Sequence, residues 1–217
     1  MNCKKFQQIG QEIHDSGVFV GCPLSEFSAS AADPLEIALA EGLQPNHKVL
    51  EVGCRCLRVG FWFVNYLDPK RYCGIEPNVK MLEAGLKYFR PDINGKKGRL
   101  DYNDQFDFSV FKQKFNYIVA FSIWTHASKV QIEKMLDQFV EHSTGSAKFI
   151  TSYLPAGKSR VDYRGNKWVG KSHKSKVRKT VAHNIGWLVR ACFHRKLCIK
   201  FLSKKTINQR WLVISKK

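Results

Sequence analysis

From residue 47 onward, short uninterrupted apolar runs alternate with longer amphipathic stretches, and this alternation constrains the fold more than any other feature. The runs are 47–53 (HKVLEVG), 71–77 (RYCGIEP), 115–122 (FNYIVAFS) and 147–154 (AKFITSYL). They have strand length and no wet face, as expected for strands covered on both sides. Between them helices are expected over 59–67, over 78–89 and over 129–142. The second would face the core with Val79, Leu82, Leu86 and Phe89, the third with Ile132, Leu136, Phe139 and Val140. Strand and helix in alternation predict a parallel sheet flanked by helices. A last helix is expected over 180–194, carrying Val181, Ile185, Leu188, Val189 and Cys192. Two strand-like runs follow, 197–202 and 209–215, and the short link 203–208 predicts an antiparallel pair at one sheet edge. Residues 1–45 read as an irregular extension with helices near 6–14 and 34–42. For the second of these, Asp33 is expected to cap and Pro34 to take the first helical position.

A chain of 217 residues, 44% of them hydrophobic, can bury a core without disulfide or metal staples and is not disordered. It has no run of about 18 apolar residues and no apolar leader at the N-terminus, so a cytoplasmic protein without a membrane span is expected. Seven cysteines, none spaced Cys-x-x-Cys, fit free thiols in a reducing compartment, and no metal site is expected.

Charge is distributed very unevenly. Residues 1–150 hold 18 Lys/Arg and 17 Asp/Glu, whereas residues 151–217 hold another 18 Lys/Arg and one acid, Asp162. A cationic face that keeps the protein soluble is one reading. With a single acid in the last third, an anionic partner explains the excess better. The Gly-, Ser- and Lys-rich stretch 155–179 reads as a long basic loop, in which Tyr163, Trp168 and His173 interleave with the cations.

The strongest local signal is Val49-Leu50-Glu51-Val52-Gly53-Cys54-Arg55-Cys56-Leu57-Arg58-Val59-Gly60. An apolar strand ends in an acid and a glycine, turns and enters a helix, which brings backbone N–H groups and a helix N-terminus toward a ligand. The next strand ends Gly74-Ile75-Glu76-Pro77-Asn78, with its acid about 20 residues past the glycine turn, where it can accept both ribose hydroxyls of a nucleoside. Each feature also has a bland reading, a strand-end turn and a surface acid. Their combination favours a nucleoside cofactor.

On these residues the chain resembles the class I S-adenosylmethionine-dependent methyltransferases. Glu51-x-Gly53 matches the start of that family's acid-x-Gly-x-Gly-x-Gly loop, and Glu76 matches its ribose-binding acid. The segment 99–108 (RLDYNDQFDF) is similar to the part that holds the adenine, and 121–126 (FSIWTH) to the stretch facing the methyl donor. The resemblance implies a three-layer, Rossmann-like α/β fold, a mostly parallel sheet of about seven strands with an antiparallel closing strand. This domain would span 46–217, after an N-terminal helical extension at 1–45. It further implies S-adenosylmethionine as cofactor, bound by Glu51, Gly53, Cys54, Arg55, Glu76, Pro77, Asn78, Asn103, Asp104, Phe106, Ser122 and Trp124. The loop departs from the pattern at two positions: Arg55 and Leu57 stand where the family has glycines. Arg55 either fills the pocket or contacts the methionine carboxylate.

Methyl transfer from a sulfonium to oxygen or nitrogen needs alignment and a proton acceptor. His126, just past the 115–122 strand, is the candidate catalytic base; its alternative role is to hold a loop or lie over the cofactor. Trp124 is either a cofactor cover or a core residue. The Asn/Asp-Pro-Pro-aromatic signature of many amino-group methylases is absent after that strand, which favours an oxygen acceptor. The expected function is therefore methyl transfer to an oxygen, in preference to a nitrogen, of an anionic small-molecule or glycan-like acceptor, phosphorylated or acidic. RNA methylation through the basic third is an alternative, as is a non-catalytic binding protein whose cofactor site Arg55 has closed. A dehydrogenase fits less well, because a clean Gly-x-Gly-x-x-Gly turn is lacking. The pattern specifies no oligomeric state.

Overall fold

The structure, a computed structural model, describes residues 2–172 and 179–217. Its strands are β1 (Val49–Val52), β2 (Tyr72–Ile75), β3 (Arg99–Asp101), β4 (Phe115–Ala120), β5 (Ser143–Tyr153), β6 (Leu197–Thr206) and β7 (Gln209–Lys216). They form one seven-stranded sheet in the order β3-β2-β1-β4-β5-β7-β6. β1, β2 and β3 pair in parallel, as do β4 and β5. β7 runs antiparallel to both β5 and β6, so the expected closing pair is present, with β6 outermost. By its internal contacts the chain divides into two units, 1–103 and 104–217.

In the first unit β1 and β2 are buried along their whole length, in register Val49 with Tyr72 and Glu51 with Gly74. The unit's helices are α1 (Cys3–Asp15), α2 (Glu26–Ala29), α3 (Asp33–Ala40), α4 (Gly60–Tyr66) and α5 (Val79–Gly95). The Asn2 side chain caps α1 by accepting the Lys5 N–H at 2.9 Å. Phe6 on α1 then packs within 5.3–5.8 Å, centroid to centroid, of Phe27, Phe61, Trp62 and Phe89. The N-terminal stretch thus shares the unit's aromatic core, where each fully buried phenylalanine contributes about 1.5–3 kcal/mol. Ala32, not Asp33, takes the cap position of α3, and no side chain caps it; Asp33 has moved into the first turn beside Pro34. α5 starts where expected, with the Asn78 side chain accepting the Met81 N–H, but it continues through Pro91 to Gly95.

The second unit adds α6 (Lys129–His142) and α7 (Ile185–Phe193). α6 matches the expected span because Ser128 and Gln131 form a reciprocal capping box. Val79 on α5 and Val140 on α6, both expected in the core, are exposed. Each lies roughly 80–100° from the centre of its helix's buried stripe at 100° per residue. α7 begins at Ile185, later than expected, because residues 181–183 are held extended: the Val181 N–H donates to Thr125 O at 2.8 Å and the His183 N–H to Leu154 O at 2.9 Å. Ile185 and Val189 face outward as a result. β6 runs on to Thr206, so the expected six-residue link shrinks to a two-residue turn with Ile207 at φ 58°. In the expected loop 155–179, the described residues form no helix or strand beyond isolated bridges such as Gly157 with Arg160. His173, Lys174, Lys176 and Arg178 lie outside the described residues. Among those described, no helix is long and apolar enough to cross a membrane. All seven cysteines are free, four of them buried.

Candidate functional site

In the first unit the loop after β1 keeps the conformation that glycines serve, although two of the three positions are not glycine. Gly53, Arg55 and Leu57 have φ of 76°, 53° and 63°. A non-glycine residue in this left-handed region costs on the order of 1–2 kcal/mol. The neighbours hold it there: the Gly53 and Cys54 N–H groups donate to Ile75 O at 2.8 and 3.0 Å, and the Leu57 N–H to Cys54 O at 2.8 Å. The Leu57 side chain is fully buried, which offsets its strain. Across from the loop, the buried Glu76 carboxylate accepts the Arg55 N–H at 3.0 Å and the Asn78 N–H at 2.8 Å. Glu76 thereby joins the β1 loop, Pro77 and the start of α5 into one frame. Helix α5 presses close on the same loop, since a Cβ at Gly85 would come within 2.1 Å of Cys56 O.

Glu51, inside β1, is buried and accepts the Tyr72 hydroxyl at 2.7 Å. Desolvation pushes its carboxyl up from 4.5 to about 7, against the Tyr72 hydrogen bond and the nearby charges of Arg55 and Arg58. Between those two values the folded chain holds a proton that the unfolded chain has released. The stability from this group is therefore complete below about 4.5 and is lost as pH rises through about 7. The expected size is ~3 kcal/mol. Glu51→Gln should match the parent near pH 4 and exceed it above pH 8, read by chemical denaturation of the cofactor-free protein. Equal pH profiles for the two proteins would show that Glu51 stays ionised in the fold.

Sequence reasoning missed how the loop is held from the N-terminal side. The Arg55 side chain runs against Gly21, where a Cβ would come within 2.3 Å of Arg55 Cδ. Cys56 Sγ donates to Val20 O at 3.5 Å. Buried Arg58 donates through Nη1 to Glu26 O, Phe27 O and Ser30 Oγ at 3.0–3.2 Å. An arginine entering an apolar helix was the available signal, because a buried guanidinium needs several acceptors. The Cys54 thiol packs against Gly74 and is kept protonated by burial. Asn103 closes a turn after β3, its N–H and side-chain amide both donating to Asp101 Oδ1.

In the second unit Asp104 accepts from the Gln105 side chain, while Phe106, Trp168 and His126 form a row, with centroids 6.5 and 5.5 Å apart. His126 Nδ1 lies 2.9 Å from both Val169 O and Lys179 O. Carbonyls only accept, so Nδ1 carries the hydrogen, and in the neutral ring the lone pair sits on Nε2. Ser122, at φ 56°, donates its N–H to Ser152 Oγ and accepts Gln209 Nε2, each at 2.8 Å. Ser152 in turn donates to Gln209 Oε1 at 2.6 Å. Ser152 and Gln209 were not anticipated; a serine interrupting the apolar run 147–154 was the clue. Trp124 is fully buried, edge-on to Phe149 at 5.6 Å, and behaves as core rather than as a cover. Among the described residues no group of three or more His, Cys, Asp or Glu side chains could hold a metal ion.

No protein-family model matches the chain, and no curated protein matches it in sequence. Its fold does match solved structures. Magnesium protoporphyrin IX methyltransferase (ChlM) from Synechocystis PCC 6803, solved with bound SAM, aligns with 87% of this chain and 79% of its own, at TM-score 0.62 and 13% identity. The glycopeptide N-methyltransferase MtfA, solved with (S)-adenosyl-L-methionine, aligns with 87% and 94%, at 0.64 and 14%. An S-adenosylmethionine-dependent methyltransferase from Clostridium acetobutylicum ATCC 824 aligns with 99% of both chains, at 0.63 and 14%. The chain therefore has the Rossmann-like α/β fold of the class I S-adenosylmethionine-dependent methyltransferases.

Proposed function

We propose that this protein is an S-adenosylmethionine-dependent methyltransferase acting on an oxygen, in preference to a nitrogen, of an anionic small-molecule or glycan-like acceptor. The observation that carries the reading is the frame in which the Glu76 carboxylate receives the Arg55 and Asn78 N–H groups beside a loop with three left-handed residues. That frame fits a nucleoside: an acid at the tip of the second parallel strand is placed to accept ribose hydroxyls. The loop's retained conformation also argues against a closed, non-catalytic site, because Arg55 and Leu57 adopt what glycines would. When bound, the cofactor would supply an electrophilic methyl group. Glu76 would hold its ribose, Gly53 and the Cys54 and Arg55 backbone would line its methionine part, and His126 Nε2 would take the acceptor's proton. The neighbours ChlM and MtfA, solved with that cofactor bound, support the cofactor assignment.

The test is isothermal titration with S-adenosylmethionine, together with mass spectrometry for cofactor or its demethylated product retained through purification. Absence of both would remove the proposal. Arg55→Gly sharpens it. The variant relieves left-handed strain, so stability should hold or rise by about 1 kcal/mol. It also deletes a guanidinium suited to the methionine carboxylate, so cofactor binding should weaken. Tighter binding in Arg55→Gly would mean that the side chain obstructs the pocket.

A further inference from the structure

The second unit contains a pocket of about 360 Å³ walled by Leu154, residues 160–164, Val169 and residues 179–182, a volume within the range of small-molecule sites. Arg160, Arg164 and Lys179 line it together with one acid, Asp162. That acid is already engaged: Oδ2 accepts Lys129 Nζ at 2.6 Å and Oδ1 accepts the Asn184 N–H at 2.8 Å. Burial raises its carboxyl, but the Lys129 and Asn184 hydrogen bonds outweigh this and keep it below the usual range. Its charge is thus spent on a lysine outside the lining. Among the described residues none of the three lining cations forms an ion pair. No other acid occurs between 151 and 217 to neutralise them from nearby in sequence.

One lining residue, Tyr163, is fixed in place. The Tyr163 N–H donates to Ala182 O at 2.9 Å and its hydroxyl to Lys167 O at 3.0 Å. Its ring lies against Gly165, where a Cβ would come within 2.3 Å of the hydroxyl oxygen. The same lining is joined to His126, whose Nδ1 bonds the Val169 and Lys179 carbonyls. Pocket and histidine are one hydrogen-bonded assembly.

We infer that this pocket binds a small phosphorylated sugar, its phosphate held by Arg160, Arg164 and Lys179 and its ring laid on Tyr163. Two guanidiniums and an ammonium suit a phosphate monoester, which carries a charge of about −1.5 to −2 at neutral pH. An aromatic residue beside them suits a compact ring, and the volume suits a single small molecule better than a strand of RNA. That this ligand is the methyl acceptor rests on the methyltransferase reading; the pocket does not.

The test titrates glucose 6-phosphate, glucose, inorganic phosphate and a single-stranded RNA into the full chain and into Arg160→Ala/Arg164→Ala, with S-adenosylmethionine titrated separately. Glucose 6-phosphate should bind more tightly than glucose or phosphate, and at least ~10-fold more weakly to the double variant, with cofactor affinity unchanged. Tyr163→Leu should weaken glucose 6-phosphate but not inorganic phosphate. If S-adenosylmethionine binds and no phosphorylated probe does, the pocket assignment fails while the proposed function stands. If the sugar phosphate binds through both arginines and the cofactor does not, the pocket stands and the methyltransferase reading fails. RNA binding that needs both arginines and resists glucose 6-phosphate would replace the sugar with a nucleic acid.

Discussion

His126→Ala should lower the rate of methyl transfer by about 10²–10⁴-fold, the usual contribution of a positioned general base, while cofactor affinity holds. The expectation rests on orientation. Two carbonyls, Val169 O and Lys179 O, fix the hydrogen on Nδ1 and so set the ring's tautomer and orientation. The ring is confined between Trp168, at 5.5 Å, and Gly170, where a Cβ would come within 2.4 Å of Nδ1. The same bonds allow His126 to act only as a staple for the basic loop, and His126→Gln separates the two roles. A glutamine amide can donate to the carbonyls but cannot accept a proton near neutral pH. Recovery of rate in His126→Gln would make the residue a staple; continued loss, with the sugar phosphate still bound, would support the base.

Glu76→Ala should weaken S-adenosylmethionine binding by about 1.5–3 kcal/mol, or roughly 10–150-fold in Kd, the range for hydrogen bonds to a charged group. It should also lower the stability of the cofactor-free protein by about 1–3 kcal/mol, because the Arg55 and Asn78 N–H groups lose their acceptor. Calorimetric titration reads the first effect and urea denaturation the second. A folded variant that binds the cofactor as tightly as the parent would take Glu76 out of the ribose role. Stability loss without binding loss would leave it a strut between the β1 loop and α5.

The alternation of apolar runs and amphipathic helices determined the parallel sheet, and the paired runs near the C-terminus determined its antiparallel edge. Both are properties of local pattern: a buried strand needs a continuous apolar run, and a helix on a sheet needs one apolar stripe. Gly53, Glu76 and their spacing marked the hydrogen-bonded frame after β1 and β2 for the same reason, since strand tips and the turns after them are read within about 30 residues. Contacts made across long separations were decided only by the tertiary structure. Arg55 and Leu57 read as departures from a glycine loop, yet they adopt its conformation because Ile75 and Glu76 hold the backbone and burial of Leu57 offsets the strain. Arg58 finds its acceptors some 28–32 residues back along the chain. His126 finds its carbonyl partners 43 and 53 residues ahead. Asp162 is taken by Lys129, 33 residues away, and among the described residues Arg160, Arg164 and Lys179 form no ion pair. Composition could count the excess of positive charge, but which cations remain unpaired depends on where the chain brings its one nearby acid.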